Sequence, residues 1–321
     1  MTTQQEKIPV TAPSLKKRAR PGEVAIRAFL FFCGFLSIVT TLGILYELGK
    51  ESLLFFQDES VSVVEFFTHT VWQPQAGVFG VLPLILGTVL ISLIAILVAV
   101  PIGLAAAIYL SEYASPKVRG FFKPVLEVLV GIPTVVYGFF ALTFVTPLLR
   151  STFGGGTVGF FNVLSAGIVV GILIVPLISS LSEDALRAVP DSLRQAAYGL
   201  GASRMEVSLR IVVPAALSGI AAGVVVAMSR AVGETMVVTL ASGAAPRNFS
   251  WGDPIFAHIL NPFTPAQAMT GYIAVTASGD IAYNTIDYNS IFAIGLALFV
   301  MTLGLNSLSR RFVKRFRQVY E

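Results

Sequence analysis

Six apolar runs, separated by polar stretches, account for most of the chain. They cover residues 24–48, 78–110, 125–149, 160–181, 215–241 and 290–308. Each is close to or above the roughly 20 residues that an α-helix needs to cross a bilayer. The pattern predicts an all-α membrane protein, with six transmembrane helices over residues 24–312. A basic, proline-containing tail that we expect to be disordered precedes them at 1–23, and a second tail follows at 313–321.

Composition supports a polytopic membrane protein, because 55% of the residues are hydrophobic and only 12% are charged. Eighteen of the 22 lysines and arginines fall in or beside the tails, near 117–123, and within 183–214. Only three lie in the other loops: Lys50, Arg150 and Arg247. The positive-inside rule then predicts that both termini and the loops near 117–123 and at 183–214 lie in the cytoplasm. Juxtamembrane cations also explain the net charge of +4, so no nucleic-acid partner is expected.

Residues 183–214, called the polar segment below, interrupt the apolar pattern between the fourth and fifth runs. The polar segment contains four arginines and four carboxylates. Pro190, Gly199, Gly201 and Pro214 divide its helix-compatible pieces. Because it also carries apolar residues, we predict a cytoplasmic helix-turn-helix that docks onto a partner.

Arg230 and Glu234 are two charges inside the fifth apolar run. A charge near the bilayer centre costs ~2.5–3.5 kcal/mol on insertion scales, and i,i+4 spacing places the two side chains on one helical face. A structural ion pair is one interpretation. In the other, Arg230 binds an anion through its planar donors and Glu234 is the counter-ion. Ser229 and Thr235 would add hydroxyl donors, although ordinary contacts between helices explain them equally well.

The tripeptide Gly131-Ile132-Pro133 interrupts the third apolar run. Freed backbone groups inside a membrane are tolerated only against protein or a water-filled cavity. A broken helix that starts at Thr134 and faces an anion is therefore one interpretation, with Tyr137 on the same route. A simple proline kink is the other.

Sites for covalent chemistry are not found in the sequence. It lacks the G-x-x-x-x-G-K-[ST] loop that cradles nucleotide phosphates, so ATP binding by that loop is excluded. One cysteine and two widely separated histidines predict no metal site. We therefore expect no enzyme activity and no cofactor in this chain.

The polar segment resembles the coupling motif of ABC importer permeases, in which E-A-A is followed by a glycine and then by I-x-L-P. The corresponding residues are Gln195, Ala196, Ala197, Gly201, Ile211 and Pro214. Gln195 replaces the usual Glu, and Val213 replaces the usual Leu. The resemblance implies the six-helix fold of type I importers, as a multi-pass protein of the cytoplasmic (inner) membrane of a prokaryote. It also implies that this element enters a groove of a separate ATPase subunit, which binds ATP and Mg²⁺.

Further motifs resemble the phosphate importer permease family, the C subunit of the Pst system. They include GIPTVVYGF at 131–139 and SRAVGETM at 229–236. This resemblance implies that inorganic phosphate passes Arg230 and Glu234. The implied partners are a second homologous permease, two ATPase copies and a periplasmic or lipid-anchored phosphate-binding protein. Three alternatives stay open: a permease for sulfate, molybdate or phosphonate, an ATP-independent anion channel, and a membrane scaffold without a pathway.

Overall fold

A computed structural model of the chain describes residues 21–283 and 285–316. These residues are helical except for loops and one pair of two-residue antiparallel strands, β1 (Trp72–Gln73) and β2 (Val78–Phe79). The α-helices are α1 (Pro21–Gln57), α2 (Val63–Thr68), α3 (Leu82–Ile108), α4 (Pro116–Val130), α5 (Thr134–Phe140), α6 (Thr146–Phe153), α7 (Val163–Arg187), α8 (Asp191–Gly199), α9 (Arg204–Val207), α10 (Val213–Val232), α11 (Met236–Ser242), α12 (Met269–Ala277) and α13 (Ile286–Phe316).

Six helical stretches are long and apolar enough to cross a membrane. They are Gly22–Gln57, Leu82–Tyr113, Thr134–Phe153, Val163–Arg187, Arg204–Val232 and Ile286–Arg311. The predicted all-α fold with six transmembrane helices is therefore confirmed. Residues 1–20 of the predicted tail lie outside the described residues. The last three residues of the predicted tail, 21–23, are helical, because α1 begins at Pro21. At the other end α13 continues past residue 312 to Phe316, and 317–321 lie outside the described residues.

By its internal contacts the chain divides into two units, residues 1–47 and 48–321. The described part of the first unit is the N-terminal length of α1, where apolar side chains such as Phe31 and Leu42 are exposed. A helix that is apolar on all sides is suited to a hydrocarbon environment. The second unit contains the other spans and the buried apolar clusters.

The centre of the second unit is the close pairing of α3 with α7. A Cβ atom at Gly167 would lie 2.6 Å from the side chain of Ile94, and one at Gly171 would lie 2.9 Å from Val98. Such small residues let helix backbones approach closely, as is usual between membrane helices. Around this pair lies a core of small and β-branched residues contributed also by α10 and α11.

Arg247 ties together the loop between α11 and α12. Its side chain is buried, and its guanidinium donates to three carbonyl oxygens: Nε to Pro265 at 3.0 Å, Nη1 to Ile259 at 3.2 Å and Nη2 to Thr264 at 2.6 Å. Burial lowers the pKa of Arg247 to about 10. The group therefore stays charged at neutral pH, and it satisfies backbone acceptors that would otherwise be unpaired.

Replacing Arg247 with methionine should destabilise the protein by about 1–3 kcal/mol, because buried carbonyl groups lose their donors. The measurement is the midpoint of thermal unfolding of the purified protein in detergent. Arg150→Met is the matched control, because Arg150 is exposed and donates one 3.3 Å bond to Gly155. For that surface change we expect less than about 0.5 kcal/mol. Equal losses in both variants would contradict the role given to Arg247.

Candidate functional site

The second half of the polar segment and the fifth span form one continuous helical rod. It begins with α9 at Arg204, passes through a π-helical turn at Ser208–Val212, and continues as α10 to Val232. Pro214 does not interrupt it, so the predicted break at that position is wrong. In the π-helical turn the N–H of Val213 donates to the carbonyl of Ser208, five residues earlier. This wider turn accommodates a proline that lacks an N–H of its own.

Arg230 lies two residues before the end of that rod. Its side chain is exposed, and within residues 21–283 and 285–316 the guanidinium has no hydrogen bond or ion pair. This arginine belongs to a membrane span. No described part of the chain neutralises its charge. An unpaired cation at such a position is the most distinctive chemical feature of the protein.

Glu234 does not pair with Arg230. The helix ends at Val232, and the chain is non-helical at 234–235, so the predicted i,i+4 placement on one helical face is wrong. The Glu234 carboxylate is buried and accepts the N–H of Val237 at 3.5 Å, near the start of α11. Its backbone carbonyl accepts the hydroxyl of Thr270 at 2.8 Å. Glu234 therefore stabilises the break in the fifth span.

The predicted hydroxyl donors are engaged with protein groups. Ser229 Oγ lies 3.0 Å from the carbonyl oxygen of Val225 and 2.7 Å from Oδ1 of Asn306, so protein acceptors engage its single proton. Thr235 Oγ1 donates to the carbonyl of Gly233 at 3.3 Å. The sequence interpretation did not single out Asn306, which lies on α13. The feature that could have identified it is an amide side chain inside an apolar run.

The third apolar run is broken where the sequence predicts. Helix α4 ends at Val130 and α5 begins at Thr134, so the membrane span starts at Thr134. Thr134 is half-buried, and the hydroxyl of Tyr137 donates across the break to the carbonyl of Leu129 at 3.3 Å. A Cβ atom at Gly138 would lie 2.6 Å from Leu240, so α5 packs closely against α11. The two interrupted spans are therefore neighbours.

The polar segment forms a helix-turn-helix from α8 and α9. Gly201 in the connecting turn has a φ of 83°, a left-handed conformation that strongly favours glycine. Ser203 caps α9 through a capping box, in which its hydroxyl accepts the N–H of Glu206 and the Glu206 carboxylate accepts the N–H of Ser203. The glycine at position 201 and the Ser-x-x-Glu pattern at 203–206 therefore match the geometry of the turn.

The motif residues of the polar segment divide into exposed and buried groups. Gln195, Ala196 and Pro214 are exposed. Ala197 is buried in an apolar cluster with residues of α7, α9 and α10, and Ile211 packs against that cluster. Leu200, outside the motif, is 90% exposed. The surface available to a partner is therefore centred on Leu200, Gln195 and Ala196.

Ion pairs anchor the polar segment to residues before α5. Arg194 holds Glu112 with two contacts, Nη2 to Oε1 at 3.0 Å and Nε to Oε2 at 3.4 Å. That hydrogen bonding raises the pKa of Arg194. Glu183 is almost fully buried and contacts Arg119 at 2.9 Å and Lys123 at 2.8 Å. Buried charges require such partners.

Within the described ranges no group of three or more His, Cys, Asp or Glu side chains is suited to hold a metal ion.

Comparison with known proteins gives consistent matches. A model of the family described as binding-protein-dependent transport system inner membrane component matches residues 99–318. The phosphate transport system permease protein PstC of Mesorhizobium japonicum is 36% identical over 267 residues, which is 78% of each chain. A probable ABC transporter permease protein of Bacillus subtilis, YqgH, is 33% identical over 293 residues, which is 90% of each chain.

Solved structures share the fold. A chain of a bacterial ABC transporter that imports the acidic polysaccharide alginate has a TM-score of 0.61 at 16% identity, over 94% of this chain and 100% of that chain. A chain of the MetNI methionine ABC transporter has a TM-score of 0.55 at 15% identity, over 77% of this chain and 100% of that one.

Fold and matches together define a multi-pass inner-membrane permease, the non-catalytic transport component of an ABC importer. The chain belongs to the binding-protein-dependent transport system inner membrane component family. Membership of this family implies an ATPase partner.

Proposed function

We propose that this chain is the permease subunit through which an ATP-driven importer moves inorganic phosphate across the inner membrane. The observation that carries the proposal is the exposed guanidinium of Arg230, which has no partner in the described parts of the chain although it belongs to a membrane span. A structural ion pair would have supplied a carboxylate. The planar donors of arginine match the oxygens of an oxyanion, and PstC relatives 30–36% identical support phosphate as that anion.

The proposed complex contains a second homologous permease, two ATPase copies that bind ATP and Mg²⁺, and an external phosphate-binding protein. The exposed surface around Leu200 supports an ATPase contact, because Leu200 (90% exposed) and the nearby Tyr198 (44%) together leave apolar surface uncovered in a segment outside the membrane spans. The alginate importer, solved with its periplasmic binding protein, supports an external partner. The charge bias supports cytoplasmic termini and a cytoplasmic polar segment.

In the proposed cycle, closure of the ATPase dimer moves α8 and α9. Because α9 and α10 belong to one rod, this movement reaches Arg230 directly. Helix α5 and the break at Glu234 border the path, with Thr134, Tyr137 and Thr235 close to it. Rigid-body movement of helices then alternates access to the two sides. No covalent step takes place in this chain.

Uptake of radiolabelled phosphate into proteoliposomes that contain the complete complex tests the proposal. We expect uptake only with ATP and the binding protein, and no competition from excess sulfate, molybdate or phosphonate. Equal competition by one of these anions would assign the permease to that oxyanion. Uptake that persists without ATP would instead identify a channel.

A further inference from the structure

We propose that Arg194 is a positioning residue that transmits the movement of α8 to α3 and α7, an inference that rests on the proposed function. It adds a second route to the rod of α9 and α10. Arg194 lies in α8 next to Gln195 and Ala196, which are exposed. Its own side chain is only 14% exposed, and its hydrogen bonds are made to this chain. Arg194 therefore connects the surface available to the ATPase with the interior of the permease.

The Arg194 guanidinium joins three helices. Nη2 and Nε contact the two carboxylate oxygens of Glu112 at 3.0 and 3.4 Å, and Glu112 lies in the π-helical turn Tyr109–Tyr113 that continues α3. Nη1 donates to the carbonyl of Val189 at 2.7 Å and Nη2 to that of Leu186 at 2.9 Å, just beyond α7 and in its last turn. The donors of a guanidinium are fixed in one plane. Helix α8 therefore cannot turn or slide against α3 and α7 without breaking these bonds.

Other contacts between α8 and these helices do not fix its orientation in the same way. Within the described part of the chain, Arg194 is the one α8 side chain that hydrogen-bonds to another helix, and Asp191 bonds back to Arg194 inside α8. The remaining link is the apolar cluster of Ala197, which includes Ala107 of α3. Apolar contact is non-directional, so it opposes separation of the helices more than rotation. The bidentate ion pair supplies the directional connection.

Helices α3 and α7 are packed closely enough to move as one body. A Cβ atom at Gly103 would lie 2.8 Å from the side chain of Ile178, so the close pairing at the centre of the second unit continues toward the polar segment. Packed interfaces of this kind shift between discrete arrangements and do not deform continuously. In the proposed cycle, Arg194 passes the movement of α8 to this pair of helices, while α9 and α10 carry it to Arg230.

A purely structural role of the ion pair is the competing explanation, and three variants separate the two. The double variant Arg194→Met, Glu112→Met removes the connection and leaves no buried charge without a partner. Glu112→Gln is a milder change, because it keeps the shape of the side chain and loses the charge-assisted pair. Asp191→Asn is the matched control on α8. The Asp191 side chain is 85% exposed, and its loss leaves the bonds from Arg194 to α3 and α7 in place.

The measurement is the number of ATP molecules hydrolysed for each phosphate taken up by proteoliposomes. The complex is first isolated by size exclusion, so that free ATPase does not contribute, and its thermal unfolding is recorded in parallel. In the double variant hydrolysis should continue, and the ATP used for each phosphate should rise at least about fivefold, the lower end of coupling between distant sites. Glu112→Gln should lie between the double variant and wild type. Asp191→Asn should stay within about twofold of wild type, because exposed ion pairs contribute little.

An unchanged ratio of ATP to phosphate in the double variant would overturn the proposal, even if uptake and hydrolysis fell together, since equal losses would assign the pair to fold stability. If the double variant does not assemble, the ratio in Glu112→Gln decides, and a wild-type value there would overturn the proposal. Failure of the proposed function would appear in the wild-type complex, as uptake of another oxyanion. The same ratio measured with that anion would still decide the role of Arg194.

Discussion

Replacing Arg230 with glutamine is expected to lower ATP-driven phosphate uptake by about a hundredfold or more, because the oxyanion loses its charged, bidentate donor. Stability should be unaffected. Arg230 is exposed and pairs with no described carboxylate, so its removal leaves no buried charge uncompensated. Uptake into proteoliposomes and the midpoint of thermal unfolding, measured on the same preparation, separate the two effects.

Two controls accompany the Arg230→Gln variant. Arg230→Lys keeps the positive charge and loses the planar donor pair, so an intermediate rate is expected. Arg204→Gln removes a cation from the start of the same rod, where the guanidinium lies 5.7 Å from the ring centre of Tyr113. That variant should transport phosphate at close to the wild-type rate. Wild-type uptake by Arg230→Gln would remove Arg230 from the path.

Replacing Leu200 with aspartate is expected to weaken ATPase binding and ATP-driven uptake by at least about tenfold. A leucine buried at an interface contributes about 1.5–3 kcal/mol, and an aspartate there would also have to lose its hydration. Fold and stability should be retained, because Leu200 is 90% exposed and lies outside the apolar cluster around Ala197. Copurification of the ATPase with the permease is the direct measurement.

Ser192→Asp is the matched control for Leu200→Asp. Ser192 is exposed in the first turn of α8, where an added negative charge is compatible with the helix dipole. This variant should bind the ATPase normally. Undiminished copurification with Leu200→Asp would exclude the proposed docking surface. Ala197→Glu is unsuitable for the same purpose, since it would place a charge in a buried cluster.

The six spans could be predicted from sequence because a long apolar run in a bilayer has to satisfy its backbone internally, which a helix does. Helix ends were harder to predict. Helix α7 continues to Arg187, five residues after the polar residue Ser182, because Glu183 finds cationic partners on α4. Those partners are about sixty positions earlier in the chain, so local hydropathy carries no information about them.

The sequence could predict which residues belong to the candidate site, but it could not predict how those residues are arranged in space. A charged residue within an apolar run singles out Arg230 and Glu234, whatever their surroundings. Their separation depends on the break at 234–235, which the bond from Thr270 to the Glu234 carbonyl supports from 36 residues away. Asn306 is likewise 77 residues from Ser229. Contacts of this kind arise from tertiary packing and leave no periodic signal in the sequence.

The most direct test of the central claim is a structure of the assembled importer determined with phosphate or vanadate under turnover. The oxyanion should lie within about 2.7–2.9 Å of the Arg230 guanidinium nitrogens, the range of charge-assisted hydrogen bonds. A structure in which Arg230 instead pairs with a carboxylate, with the oxyanion bound elsewhere, would contradict the claim.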